Sequence, residues 1–301
     1  MLPDELGFNV PEVYFDGPDR LSILDGVRDT GFGWVRIEAP WQELTTATSA
    51  GWTRVDTVVD AALARGLKVL MMTCHPPAGH TASSFGAFCR ALATRYQGKV
   101  SDFEIWNEEN LHTFWAWSDT AKFTTYLKAA YTNIKAVQPD SFVLLGGLAA
   151  AASNPWYMFW FKNLYPLDFL KGVYAAGGQG YFDGVANHPY PLTAGFVYEN
   201  PSQTQLFMRQ NDEIRNLMIA KGDGHKPIWW TEIGSDRHEI GGLQQVQDLE
   251  VLLECFLSRG YVEKFFIHDY RDINQEKYGM VDLNYVPRPS LQWCKDQVSD
   301  V

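Results

Sequence analysis

Short apolar runs rich in β-branched and aromatic residues alternate with longer amphipathic segments eight times along this chain. No other feature constrains the fold as strongly, because neighbouring parallel strands must be joined by a long crossover, usually a helix. The strand-like runs are Leu6–Val10, Trp34–Glu38, Lys68–Thr73, Asp102–Asn107, Phe142–Gly147, Gly184–His188, Ile228–Ile233 and Lys264–Asp269. Helical periodicity marks Leu21–Asp29, Arg54–Arg65, Ser84–Tyr96, Ala121–Val137, Trp156–Ala176, Gln203–Ala220, Leu243–Arg259 and a short Ser290–Gln297. Neither Gly66-Leu67-Lys68 nor Gly146-Gly147-Leu148 forms the GxGxxG turn of a dinucleotide-binding open sheet. The expected fold class is therefore α/β, a closed (β/α)8 TIM barrel. A chain of 301 residues suits one barrel of roughly 250 residues plus loops. No linker or low-complexity stretch interrupts it, so residues 1–301 are expected to form a single domain.

In such a barrel, chemistry collects at the C-terminal ends of the strands. The polar residues of this sequence fall there: Asn9, Arg36, Glu38, His75, Asn107, Glu108, His188, Tyr190, Glu232, His268, Asp269 and Tyr270. Glu108 closes the apolar run Phe103–Asn107, and Glu232 closes Ile228–Thr231. Packing explains neither, since an ionised carboxylate is costly to bury without partners. Two such carboxylates facing one cleft suit glycoside hydrolysis. One donates a proton to the leaving oxygen, and the other attacks the sugar or activates water.

Charge and cysteine usage narrow the alternatives. The net charge of −11 and the absence of a Lys/Arg-rich run argue against nucleic-acid binding. No apolar stretch approaches the ~20 residues of a membrane span, and the first residues do not read as a secretory leader. Localisation is thus left open between the cytoplasm and secretion with a leader removed. Cys74, Cys89, Cys255 and Cys294 lack CxxC spacing, which argues against a disulfide framework or a structural zinc site, and Cys89 and Cys255, among apolar neighbours in helix-like segments, are expected to be buried free thiols.

The strand endings Glu104-Ile105-Trp106-Asn107-Glu108 and Trp230-Thr231-Glu232-Ile233-Gly234 resemble those of clan A glycoside hydrolases, the retaining (β/α)8 enzymes. Gly31–Trp41, containing Arg36, looks like the second strand of that clan, and His188-Pro189-Tyr190 like its sixth-strand motif. Within the clan the likeness is greatest to bacterial family 39-type and cellulase-superfamily proteins. Asp269–Asp272, Tyr278–Asp282 and Pro287–Pro289 share in that likeness. One departure is Glu109, which stands where the clan usually has proline and is expected to point into solvent.

The resemblance implies a double-displacement hydrolase of oligo- or polysaccharides, with Glu108 as acid/base and Glu232 as nucleophile. It further implies that Asn107 donates to the hydroxyl beside the anomeric carbon, while Arg36 and Tyr190 orient Glu232. An ion pair with Glu38 is the alternative role for Arg36, and simple packing that for Tyr190. His75 and His188 are candidate sugar ligands; Trp41, Trp115, Trp117 and Tyr270 are candidate stacking platforms. Trp115 is expected beneath the acid/base loop, with Trp117 nearer the substrate. No metal or other cofactor is expected. Two rivals remain: a metal-dependent barrel hydrolase using His75, His188, His268 and Asp269, and a non-catalytic carbohydrate-binding barrel. Transglycosylation instead of hydrolysis also stays open.

Overall fold

The computed structural model describes residues 2–15, 19–45, 49–151, 163–190, 201–236, 242–273 and 276–298. Eight parallel strands close into a barrel in strict chain order, β1 (Leu6–Asn9), β2 (Trp34–Pro40), β3 (Lys68–Cys74), β4 (Asp102–Ile105), β5 (Phe142–Ala149), β6 (Gly184–His188), β7 (Ile228–Ile233) and β8 (Val262–His268), with β8 pairing back to β1. All eight expected runs contribute a strand, with ends shifted by at most a few residues. Outside lie α1 (Glu12–Phe15), α2 (Arg20–Thr30), α3 (Ala50–Ala64), α4 (Ala82–Arg95), α5 (Thr120–Lys135), α6 (Pro166–Ala175), α7 (Pro201–Ala220), α8 (Leu243–Leu257) and α9 (Pro289–Asp296). Of the expected helix 156–176, α6 accounts for Pro166–Ala175, and positions 156–162 lie outside the described residues.

The helices follow from local chemistry. Thr81 opens α4 with a reciprocal capping box to Ser84, and the Asp119 carboxylate caps α5 by accepting from the Lys122 backbone N–H. Along α5, Phe123, Tyr126, Leu127, Ala130 and Ile134 recur on one stripe and are buried. Strand side chains alternate instead. Trp34, Leu70, Leu144, Ala186, Trp229 and Phe266, each from a different strand, form a compact apolar cluster, while Trp106 and Trp230 belong to the larger surrounding core.

Parity then places the site. On β2 the residues sharing the Trp34 face are Arg36 and Glu38, and on β3 those sharing the Leu70 face are Met72 and Cys74. The glycine pair in β5 makes room for large neighbours. A Cβ on Gly147 would stand 2.1 Å from the His188 ring and 2.8 Å from a Glu104 oxygen, and one on Gly146 would stand 2.1 Å from the Glu109 carboxylate. No described helix is long and apolar enough to cross a membrane.

Candidate active site

Regular strand geometry ends early at β4. Trp106 and Glu108 adopt left-handed backbone angles, with φ of 77° and 48°, which non-glycine residues seldom do. The Glu108 N–H nevertheless bonds to the Gly147 carbonyl at 3.0 Å, fixing the turn to β5. Asn110 completes the anchor. Its amide donates to the carbonyls of Ala149 and Leu164, and its oxygen accepts from the Ala149 N–H, so a side chain substitutes for a strand partner. Below the loop, Trp115 is buried edge-on against Trp106 at 4.9 Å.

At the centre of the barrel, Arg36 makes a two-pronged ion pair with Glu104, at 2.7 and 2.9 Å. Both side chains are essentially inaccessible. Burial disfavours the guanidinium charge, but Glu104 outweighs it and raises the Arg36 pKa. The remaining Arg36 donors reach Asn9 at 2.9 Å, Asn107 Oδ1 at 2.8 Å and Glu232 Oε2 at 3.3 Å. Glu104, not Glu38, is therefore the structural partner of Arg36.

Glu232 sits at the hub. Its Oε2 accepts from Asn9 at 3.0 Å as well as from Arg36, and its Oε1 accepts from the Tyr190 hydroxyl at 3.1 Å. Burial alone would raise its pKa. The charges of His188, His268 and Arg36, with the Tyr190 hydrogen bond, outweigh burial and hold it at about 2. Burial, reinforced by Glu232, keeps the Tyr190 phenol well above its ordinary range, so it remains a donor. Glu108 has a different setting: its Oε1 lies 3.1 Å from His188 Nδ1, and the other ring nitrogen of that histidine faces the Thr231 hydroxyl at 3.2 Å. One carboxylate oxygen of Glu108, one of Glu232 and a ring nitrogen of His188 lie within 4.8 Å of one another.

The structure thus brings together Arg36, Asn107, Glu108, His188, Tyr190 and Glu232. The other expected residues have partners of their own. His75 stands beside Glu38, 3.5 Å from its Oε2. Trp41 is only 5% exposed, stacked on Phe88 at 5.5 Å. It lines a side cavity of about 570 Å³ with Trp52, Pro77 and His80, so it is no platform beside the carboxylates. Tyr270 is 6% exposed and packs edge-on to Phe8, its hydroxyl against Gly26 of α2. It therefore faces away from the cleft, because the chain has turned outward by that point. Trp117 is 55% exposed and leans on His112. Among the described residues, His75, His188, His268 and Asp269 do not converge on a common point.

Glu109 overturns its expectation. The turn at Glu108 carries it inward, where it is fully buried over Gly146 with neither oxygen hydrogen-bonded. Burial first, then Glu104 and Glu108, push its pKa well above the carboxylate range. Both effects disfavour its ionised form. Sequence reasoning also missed Glu104, Asn110 and Thr231. Glu104 pairs with Met72 on the interior face of β4, and its only signal in the sequence is a charge inside an otherwise apolar run.

The buried acids have a consequence for stability. Glu12, Glu109 and Asp269 titrate above their ordinary values, Asp269 at about 7, chiefly through burial. Each opposes folding progressively as pH rises past its unfolded value near 4. His268 is lowered by burial but raised more by Glu232 and Glu276, to about 9. Its stabilising contribution is complete below about 6.5 and is lost through 9. Glu232 acts on the acid side, contributing above about 4.5 and losing that as pH falls towards 2. The melting temperature should therefore peak near pH 5 and fall steadily to pH 9. A profile that is flat or rising over that range would contradict these assignments.

A closed barrel of this order is the (β/α)8 TIM barrel, and comparison with known proteins makes the chain a clan A glycoside hydrolase. The family model described as cellulase (glycosyl hydrolase family 5) matches residues 7–178, more than half of the chain, and the chain belongs to that family. A β-xylosidase from Geobacillus stearothermophilus is 23% identical over 211 residues, covering 63% of this chain and 39% of the relative. The chain thus spans about two fifths of the length of that curated relative. Among solved structures, a family 39 glycoside hydrolase from Bacteroides cellulosilyticus WH2 superimposes with a TM-score of 0.74 at 20% identity, covering 98% of this chain and 63% of the other. An exo-β-1,4-mannosidase from Opitutaceae bacterium strain TAV5 also gives 0.74, at 16% identity, with coverages of 97% and 58%. The likeness to family 39 is one of fold.

Proposed function

We propose that the chain is a retaining O-glycoside hydrolase acting on an oligo- or polysaccharide, with Glu108 as acid/base and Glu232 as nucleophile. The observation that carries this reading is the approach of the two carboxylates to within 4.8 Å, oxygen to oxygen. Retaining enzymes separate their carboxyl groups by about 5–5.5 Å, whereas inverting enzymes leave about 6.5–9.5 Å for a water. The surroundings also divide the roles. Glu232 takes three donors and stays ionised at any working pH, as a nucleophile must.

In the first step Glu232 attacks the anomeric carbon as Glu108 passes its proton to the departing oxygen, giving a glycosyl-enzyme ester. Esterification removes the negative charge of Glu232, which makes Glu108 easier to keep ionised once its proton has gone. Glu108 then takes a proton from water, which attacks the anomeric carbon and releases Glu232. Asn107 serves both steps. With its oxygen held by Arg36, its N–H groups are directed to the sugar hydroxyl beside the reacting carbon, a bond that strengthens as oxocarbenium character develops. The names of the β-xylosidase and β-mannosidase relatives favour a β-linked substrate. Proton NMR of early hydrolysis of a β-glycoside should show the β-anomer of the product first, the α-anomer appearing only by mutarotation. Initial release of the α-anomer would exclude double displacement.

Trp117 is proposed as a stacking platform for a more distant sugar, since its indole is the large exposed aromatic nearest in sequence to Glu108. Stacking on such a ring is worth on the order of 1 kcal/mol. Trp117→Ala should raise the KM for polymer by up to roughly tenfold and leave a small aryl glycoside unaffected. Unchanged polymer kinetics would remove Trp117 from the binding surface.

A further inference from the structure

We propose that Glu38, Cys74 and His75 form a binding site for a zinc-class divalent transition-metal ion at the mouth of the barrel. Pro40 of β2 is paired with Cys74 of β3, two positions beyond the Glu38–Met72 pair. Because Trp34 and Leu70 belong to the barrel-interior cluster, the alternate positions Glu38 and Cys74 lie on the same inner wall. His75 follows with φ of 55°, a left-handed conformation that returns its ring towards the other two. One ligand atom from each residue lies within 4.8 Å of the others.

The carboxylate and the imidazole face each other as an ion pair, at a spacing that two ligands of one metal ion also take. His75 Nε2 stands 3.5 Å from Glu38 Oε2, and that oxygen is buried without a hydrogen bond. Tetrahedral zinc, with bonds of about 2.0–2.3 Å, sets neighbouring ligand atoms about 3.3–3.8 Å apart. The carboxylate and imidazole are already at that separation, and the sulfur reaches it with a shift of about 1 Å. A thiol with an imidazole and one carboxylate suits zinc, cobalt or copper, not magnesium or calcium, which take oxygen ligands. The His75 side chain is 41% exposed, so a fourth position remains open to solvent. The cluster at Glu108, His188 and Glu232 differs in this respect, because Glu232 already accepts three hydrogen bonds and both His188 ring nitrogens have partners.

Glu38 is two residues beyond Arg36 on the same strand face, a rise of about 7 Å. An ion bound there narrows the entrance above the carboxylates and should inhibit turnover competitively with substrate. That consequence rests on the proposed glycosidase reading; binding of the ion does not.

The test is a cobalt(II) titration of the full chain after chelator treatment, followed by near-ultraviolet absorption. A thiolate-to-cobalt charge-transfer band saturating at one equivalent is expected, with zinc displacing it and Cys74→Ser abolishing it. Even contacts that merely support a metal ligand are worth about ten- to a hundredfold in affinity. Glu38→Gln, which keeps the side-chain volume, should therefore weaken zinc binding by at least about tenfold, while the melting temperature of the metal-free protein remains near that of the wild type. No thiolate band in the wild type, or cobalt binding undiminished in Cys74→Ser, would overturn the site.

Discussion

Replacing Glu232 with glutamine is expected to abolish turnover of every glycoside, by a factor on the order of 10⁴ or more, the scale at which enzymes lose rate with their nucleophile. An amide cannot form the ester intermediate, and no neighbouring carboxylate can take its place. Glu104 is locked to Arg36 in a closed ion pair, and Glu109 is buried against Gly146. Leaving-group activation cannot rescue this variant, since the missing step is attack on carbon. The fold should survive, because glutamine keeps the shape of the side chain and its oxygen can still accept from Arg36 or Tyr190. The Arg36–Glu104 pair does not depend on Glu232. Circular dichroism and thermal melting would establish that the lost activity is chemical. A modest loss, around tenfold on an aryl glycoside, would exclude Glu232 as nucleophile.

That the two glutamates could be picked out in the sequence follows from their position. Each ends a run too apolar and too short to be anything but a strand, and a carboxylate there must face either a partner or a cleft. The partners were harder to see. Glu104 lies inside the same run as Glu108, and only the alternation of the folded strand reveals that it faces Arg36 across the barrel. Asn110 acts through backbone groups of β5 and of residue 164, remote in sequence. Aromatic residues near strand ends were the least legible. Trp41 and Tyr270 follow their strands as a cleft residue would, yet both rings turn into the surrounding core. Trp115 and Trp117 are two positions apart, which in an extended loop would align them. A left-handed φ of 62° at Trp117 breaks that relation, so one ring is buried and the other is in solvent. Turns that reverse side-chain direction are set by tertiary contacts such as the Glu108–Gly147 hydrogen bond, and local sequence does not encode those contacts.

Glu108→Ala should behave differently from the nucleophile variant. General acid–base catalysis contributes about 10² to 10⁴ in rate, and polymer hydrolysis should fall by about that factor because its leaving oxygen needs a proton. A dinitrophenyl glycoside does not, so Glu232 can still attack it and form the ester. Water then reacts slowly for want of a base, and the intermediate should accumulate after an initial burst of phenolate. Azide carries its own negative charge and needs no proton removed. Added to the reaction, it should restore turnover by attacking the ester from the side vacated by the carboxylate of Glu108, giving a glycosyl azide of the same configuration as the substrate. His188 loses a partner at Nδ1 in this variant but keeps Thr231 at Nε2, so the site should stay assembled. The two variants together separate the roles: azide rescues Glu108→Ala and leaves Glu232→Gln inactive. Rescue of both, or of neither, or a glycosyl azide of inverted configuration, would break the assignment of acid/base to Glu108.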